Sequence, residues 1–155
     1  MKKMSRAERA KEYFLQGYAC SQAVALAFSD VMGIDEATIS KIMLPFGGGV
    51  GRLRMTCGAV SGMAAVIGMT CAKSENTPEN KKAAYAIVQE LCAKFKAETG
   101  SLICAELLSG MKVAVEVGGT AEARTEQYYH KRSCGEMVML AAKIVEEYLI
   151  SQGIL

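Results

Sequence analysis

Between Met55 and Ala72 the chain carries no charged residue, while Arg52 and Arg54 precede the stretch and Lys73 follows it. The run is about the minimum length for a membrane span. Its strong aliphatics are only Val60, Val66 and Ile67, and the rest is Gly, Ala, Ser, Thr, Cys and Met. A helix that is apolar all round must be buried in something. The stretch therefore predicts a central buried helix over about 57–72 rather than a membrane span.

Helix signals surround it. Ser5 with Glu8 reads as a capping box that opens a helix to Gln16, with Gly17 ending it. A second helix is predicted from about Ser21 to Met32, with Val24, Ala27, Phe28 and Val31 on one face and Gly33 as its stop. Asp35 caps a third, which carries Ile39, Ile42 and Met43 and ends at Pro45. Thr56 is the expected cap of the central helix. Thr77 before Pro78 opens a long helix to about Thr99, with Ala84, Ile87, Val88, Leu91 and Phe95 as its stripe and Gly100 beyond it. Ser101 caps a short helix through Leu108. Ser133 and Glu136 read as a second capping box, for a last helix with Met137, Leu140, Ala141, Ile144, Val145 and Tyr148 at helical spacing.

The stretch from Met111 to Arg132 is less regular. Val113, Val115 and Val117 alternate with Lys112, Ala114 and Glu116, a strand pattern with no second run in the chain to pair with. Either the segment is irregular or it pairs across a homodimer axis. A further helix is read over Thr120 to Tyr129. With 155 residues, 51% hydrophobic and 22% charged, the chain fits one folded domain, 1–155. The expected fold class is all-α, a single-domain bundle of about six or seven helices around the buried one.

Charge and composition exclude several roles. The formal net charge is +2, aromatics are 6% and Trp is absent, which argues against a nucleic-acid binder built on a basic stripe or a stacking platform. The start MKKMSRAERAKEYF is charged and helical, unlike a signal peptide, so a cytoplasmic location is expected. Stable structural disulfides are then a poor use of cysteine.

There are six cysteines: Cys20, Cys57, Cys71, Cys92, Cys104 and Cys134. None forms a CxxC, so thioredoxin-type, zinc-knuckle, haem-attachment and bacterial ferredoxin motifs are missing. Four stand at predicted helix starts. Cys57 follows Thr56, Cys134 follows Ser133, Cys104 lies in the first turn after Ser101, and Cys20 precedes Ser21. Unpaired N–H groups and the helix dipole favour a thiolate there, so all four are expected to have lowered pKa values. Arg52 and Arg54 before Cys57, and Lys131 and Arg132 before Cys134, would add to this where they face the sulfur. Cys92 lies in its helix stripe, and Cys71 lies about 20 Å along the central helix from Cys57. Both read as small core hydrophobes. His130, the single histidine, reads as a surface residue beside Lys131 and Arg132.

The loop Gly47-Gly48-Gly49-Val50-Gly51 matches neither GxGxxG nor Walker A. It reads as a segment able to enter conformations closed to other residues, bringing backbone up to the sulfur site, with a small-anion nest as a secondary role. Gly58 and Gly62 share a helix face, where they admit another helix and leave room beside Cys57 for a second sulfur or a bound atom. Cys57, flanked by these glycines, is the expected principal nucleophile.

Cys20 in YACSQAVALAF, the glycines of FGGGVGR, the motif Cys57-Gly58-Ala59-Val60-Ser61-Gly62, and the lone Cys104 and Cys134 resemble the C_GCAxxG_C_C family, described as redox-active proteins of about this length. The resemblance runs from about Tyr13 to Tyr148. It implies that Cys20, Cys57, Cys104 and Cys134 are the functional cysteines and that Cys71 and Cys92 are not. It also implies redox activity, and genes near transporter genes.

Three functions follow from these residues. The first is thiol–disulfide or electron-transfer chemistry with an unknown redox partner, which would make the chain an oxidoreductase needing no cofactor. The second is a metal site in which the same four cysteines hold zinc or an iron–sulfur cluster. The third is a non-catalytic helical interaction domain whose cysteines only pack.

Overall fold

The helix signals are realised as nine α-helices and one short 3-10 turn across residues 3–155, the residues that the computed structural model describes. The first two residues of the charged N-terminal stretch lie outside them. In chain order the helices are α1 (Arg6–Leu15), α2 (Cys20–Leu26), α3 (Ser29–Met32), α4 (Glu36–Met43), α5 (Gly58–Cys71), α6 (Pro78–Thr99), α7 (Cys104–Gly110), α8 (Glu126–Lys131) and α9 (Cys134–Ser151). The 3-10 turn, Leu44–Phe46, follows α4. The all-α expectation holds, with more and shorter helices than the six or seven read from sequence.

Local chemistry explains where the boundaries fall. At α1 the capping box forms as read: Ser5 Oγ accepts from the Glu8 N–H at 3.1 Å, and the Glu8 carboxylate accepts from the Ser5 N–H at 3.2 Å. Asp35 caps α4 through the Thr38 N–H, and Thr77 caps α6 through the Asn80 N–H, each at 3.1 Å. The second predicted helix breaks in two. Phe28 leaves helical geometry at φ −119°, ψ 17°. The buried Arg6 guanidinium donates to the Ala27 carbonyl at 2.8 Å and pairs with Asp30, stabilising the break from outside. That pairing holds the Asp30 carboxyl down to about 2.

Three expected caps do not form. Thr56 is in an isolated antiparallel bridge with Ile103, so Cys57 itself is the residue before α5. Ser101 stands two residues too early: it accepts from the Ile103 N–H at 2.9 Å and hydrogen-bonds Glu106, while Ile103 precedes α7. Ser133 precedes α9 at φ −88°, ψ 24°, not the extended geometry that aims a side chain at the helix end, and the box with Glu136 is not made.

The uncharged stretch forms α5, and the burial expected of it holds for its first turns. Gly58, Ala59, Val60, Gly62, Met63, Val66 and Ile67 are buried, while Gly68 and Met69 emerge into solvent. α5 packs against α2, α3, α6 and α9, and α1 packs against α9 and α2. Gly62 makes the α2 contact possible: a Cβ there would lie 2.8 Å from the Ser21 carbonyl oxygen and 2.9 Å from Val24 Cβ. Phe14, Phe28 and Phe95 are fully buried around this centre, each contributing about 1.5–3 kcal/mol. Among the described residues no helix is long and apolar enough to cross a membrane.

Residues 112–125 form no strand. Their backbone groups are met from the glycine loop instead: the Gly118 N–H donates to the Arg52 carbonyl at 2.9 Å, Arg54 Nε donates to the Glu116 carbonyl at 2.8 Å, and Arg52 donates to the Thr120 carbonyl. Val115 and Val117 stay exposed, so the alternation buries no face. The helix read at Thr120–Tyr129 forms later, as α8, capped by Thr125.

Candidate functional site

The glycine loop folds as a left-handed turn. Gly48, Gly49, Val50, Gly51 and Arg52 have φ of 65°, 73°, 66°, 58° and 67°, and Arg54 has 62°. Glycine enters this region freely, but Val50, Arg52 and Arg54 each oppose it by about 1–2 kcal/mol. The turn is held by the Arg54 N–H to the Gly48 carbonyl at 3.1 Å and the Met55 N–H to the Gly49 carbonyl at 2.8 Å. The Cys104 N–H donates to the Met55 carbonyl at 2.6 Å, which fixes α7 to the loop. A Cβ on Gly49 would lie 2.7 Å from Cys104 Cβ, and one on Gly47 2.7 Å from Ala19 Cβ. The loop thus brings backbone against two of the cysteine-bearing segments, as its composition suggested.

Around the loop lies a cavity of about 310 Å³. Cys20, Cys57, Cys104 and Cys134 all line it, as do Gly47, Gly48, Gly49 and Gly58. Gly62 does not; its place is the α2–α5 contact. Cys71 and Cys92 are half-buried against the hydrophobic core and away from the cavity. His130 is exposed.

The four thiols are free and unlike one another. Cys20 and Cys134 both line the cavity, at the starts of α2 and α9. The hydrogen bond with Cys134, then burial, raises the Cys20 pKa well above the ordinary range. The same bond, with Arg132, Arg124 and Arg54 nearby, lowers Cys134 to about 7 against the opposing effect of burial. Cys57 is 7% exposed, and burial pushes its thiol up to about 12 although the Ala59 and Val60 N–H groups pull it down. The expectation of lowered pKa values at all four helix starts is therefore corrected: Cys57 moves the other way because desolvation outweighs the helix end, and Cys20 because the bond with Cys134, then burial, favours its protonated form. Gly58 admits α2, as its shared face with Gly62 suggested: a Cβ there would lie 3.1 Å from the Ser21 nitrogen and 3.2 Å from Cys20 Cβ, and that close approach leaves Cys57 buried rather than accessible.

The basic residues divide. Arg54 is 6% exposed, and its Nη1 lies 3.7 Å from Cys104 Sγ. Arg132 pairs with Glu122 at 2.6 Å and stacks over the Tyr128 ring, while Lys131 is exposed. Sequence reasoning missed Arg124. It sits over the Phe14 and Tyr128 rings at 4.5 and 4.9 Å and donates to the Phe14 and Tyr18 carbonyls. Its signal was the Arg124–Tyr128–Tyr129 spacing, inside the one segment whose conformation the pattern left open. Among the described residues no three His, Cys, Asp or Glu side chains are placed to hold a metal ion.

Comparison with curated proteins and with solved structures gives no match. The family model described as "Putative redox-active protein (C_GCAxxG_C_C)" matches residues 18–148, a span that begins just before Cys20 and holds all four cavity cysteines. The chain belongs to the C_GCAxxG_C_C family, and its role is a redox one.

Proposed function

We propose that the chain carries out thiol–disulfide exchange, with Cys134 as the attacking thiolate and Cys20 as the resolving thiol. The observation that carries this is the Cys20–Cys134 pair, two thiols lining one cavity with Arg54, Arg124 and Arg132 and shifted in opposite directions by each other. A thiolate that forms near neutral pH combines a useful charged fraction with good nucleophilicity.

The step balances without a metal. Cys134 Sγ attacks one sulfur of a substrate disulfide, whose S–S bond breaks. One half leaves as a thiolate, and the other remains joined to Cys134. Cys20 gives its proton to the departing thiolate and attacks Cys134 Sγ. The second half leaves as a thiolate, and a Cys20–Cys134 disulfide remains. Two electrons have passed from the protein to the substrate, and a reducing dithiol reverses the sequence.

The test is alkylation of the reduced protein across pH, with the modified residue located by mass. Cys134 should react first, with a midpoint of about 7. Oxidation by a mild disulfide should then link Cys20 to Cys134. A Cys134 midpoint at the ordinary thiol value, with no such link at any ratio of oxidant, overturns the reading. So does one metal ion per chain bound through Cys20 and Cys134 in anaerobically purified protein.

A further inference from the structure

Two cations at the cavity have no carboxylate partner among the described residues. Arg54 is buried, and its Nε is used by the Glu116 carbonyl. Arg124 is held by two carbonyls and by aromatic rings. Arg132 is paired with Glu122, and Arg52 with Glu116. Arg52 Nε is also buried without a hydrogen-bond partner among the described residues. A buried guanidinium without a counter-charge is costly. Glu122 on the cavity wall is taken by Arg132, so what these cations face there is sulfur: Arg54 Nη1 lies 3.7 Å from Cys104 Sγ, and Arg124 and Arg54 both favour negative charge on Cys134. Attack on a disulfide consumes that charge, because the mixed disulfide is neutral. Arg54 and Arg124 are then left uncompensated unless the incoming compound is itself negative.

The rest of the wall limits size and polarity. Leu107, Leu108, Met111 and Met137 line the cavity, whose volume lies at the small end for ligand sites. The net charge of the whole chain is only +2, so the molecule as a whole exerts little general attraction on anions, and a preference must come from the cavity.

We infer that the cavity takes a small anionic disulfide, its negative group held by Arg54 and Arg124 while its sulfur meets Cys134; this rests on the thiol reading above. Cys134 Sγ displaces one half of the disulfide as a thiolate, and the retained half keeps its negative charge beside Arg54. Arg54 is the residue that selects for charge.

The experiment compares three oxidants of similar size on the reduced full chain: dithiodiglycolate (anionic), 2-hydroxyethyl disulfide (neutral) and cystamine (cationic). Each rate is divided by the rate of the same oxidant with 2-mercaptoethanol, which removes intrinsic reactivity. The anionic probe should exceed the cationic one by about tenfold or more after this correction, the scale on which a charged cleft acts. Arg54→Gln should bring the two within about twofold, and Arg54→Lys should retain most of the preference. The wild-type comparison stands by itself should the glutamine variant fold poorly. Equal corrected rates, or a preference for cystamine, overturn the inference and leave the thiol reading intact. No reaction with any of the three removes both.

Discussion

Cys57 and Cys134 carry the same local signal, a cysteine where a helix begins, and the fold gives them opposite chemistry. Cys57 stands before α5, against α2, and burial drives it toward the protonated form. Cys134 opens α9 beside Cys20, with Arg132, Arg124 and Arg54 near enough to favour its thiolate. The hydrogen bond with Cys20 is the largest of these effects, so its removal should matter most. Cys20→Ala should move the Cys134 alkylation midpoint up from about 7 toward the ordinary thiol value, and further than Arg132→Gln does. Cys20→Ser, which keeps a donor, should recover part of the shift. A Cys134 midpoint unchanged in the alanine variant would show that the arginines alone set it. The four cysteines themselves were legible in the sequence, and the structure does place them on one cavity. Their individual titration was not, because it depends on contacts between residues more than a hundred positions apart.

At the scale of elements, helices whose ends are set by adjacent residues match their sequence signals, and segments whose ends are set by distant partners do not. The Ser5–Glu8 box and the Thr77–Pro78 start form as read. The Thr56 and Ser101 caps give way to a bridge between Thr56 and Ile103. The valine alternation at 113–117 gives way to Arg52 and Arg54, which serve the backbone that a neighbouring strand would have served. The glycine loop shows both kinds of constraint. Gly51 has φ 58° but open space beside it, so Gly51→Ala should cost only the left-handed strain, about 1–2 kcal/mol. Gly49 has φ 73°, and a Cβ there would lie 2.6 Å from the Met55 nitrogen and 2.7 Å from Cys104 Cβ. Gly49→Ala should therefore destabilise by about 3 kcal/mol or more, because the backbone must move as well. Urea unfolding of the two variants checks the order, and equal losses would mean that the approach to α7 is not tight.

For the whole molecule, the cavity is a meeting of chain segments far apart in sequence: the starts of α2, α7 and α9, the residue before α5, the left-handed loop, and residues 119–124. If Cys20 and Cys134 form the working disulfide, oxidation joins the first third of the chain to the last helix. Closing a loop of roughly a hundred residues restricts the unfolded chain, and stabilisation of about 2–4 kcal/mol is expected. The oxidised protein should thus unfold at higher urea than the reduced one, and the difference should vanish in Cys20→Ser. An oxidised form less stable than the reduced form would mean that the link strains the α2–α9 approach. By itself the sequence determined the helical class, the burial of the first turns of the uncharged stretch and the position of four cysteines at helix starts, because capping, periodicity and charge exclusion act over a few residues. Only the tertiary structure decided which thiol carries charge, where Arg54 and Arg124 point and what residues 112–125 pair with. Those outcomes depend on desolvation and on electrostatic neighbours, which exist only once distant segments have packed together.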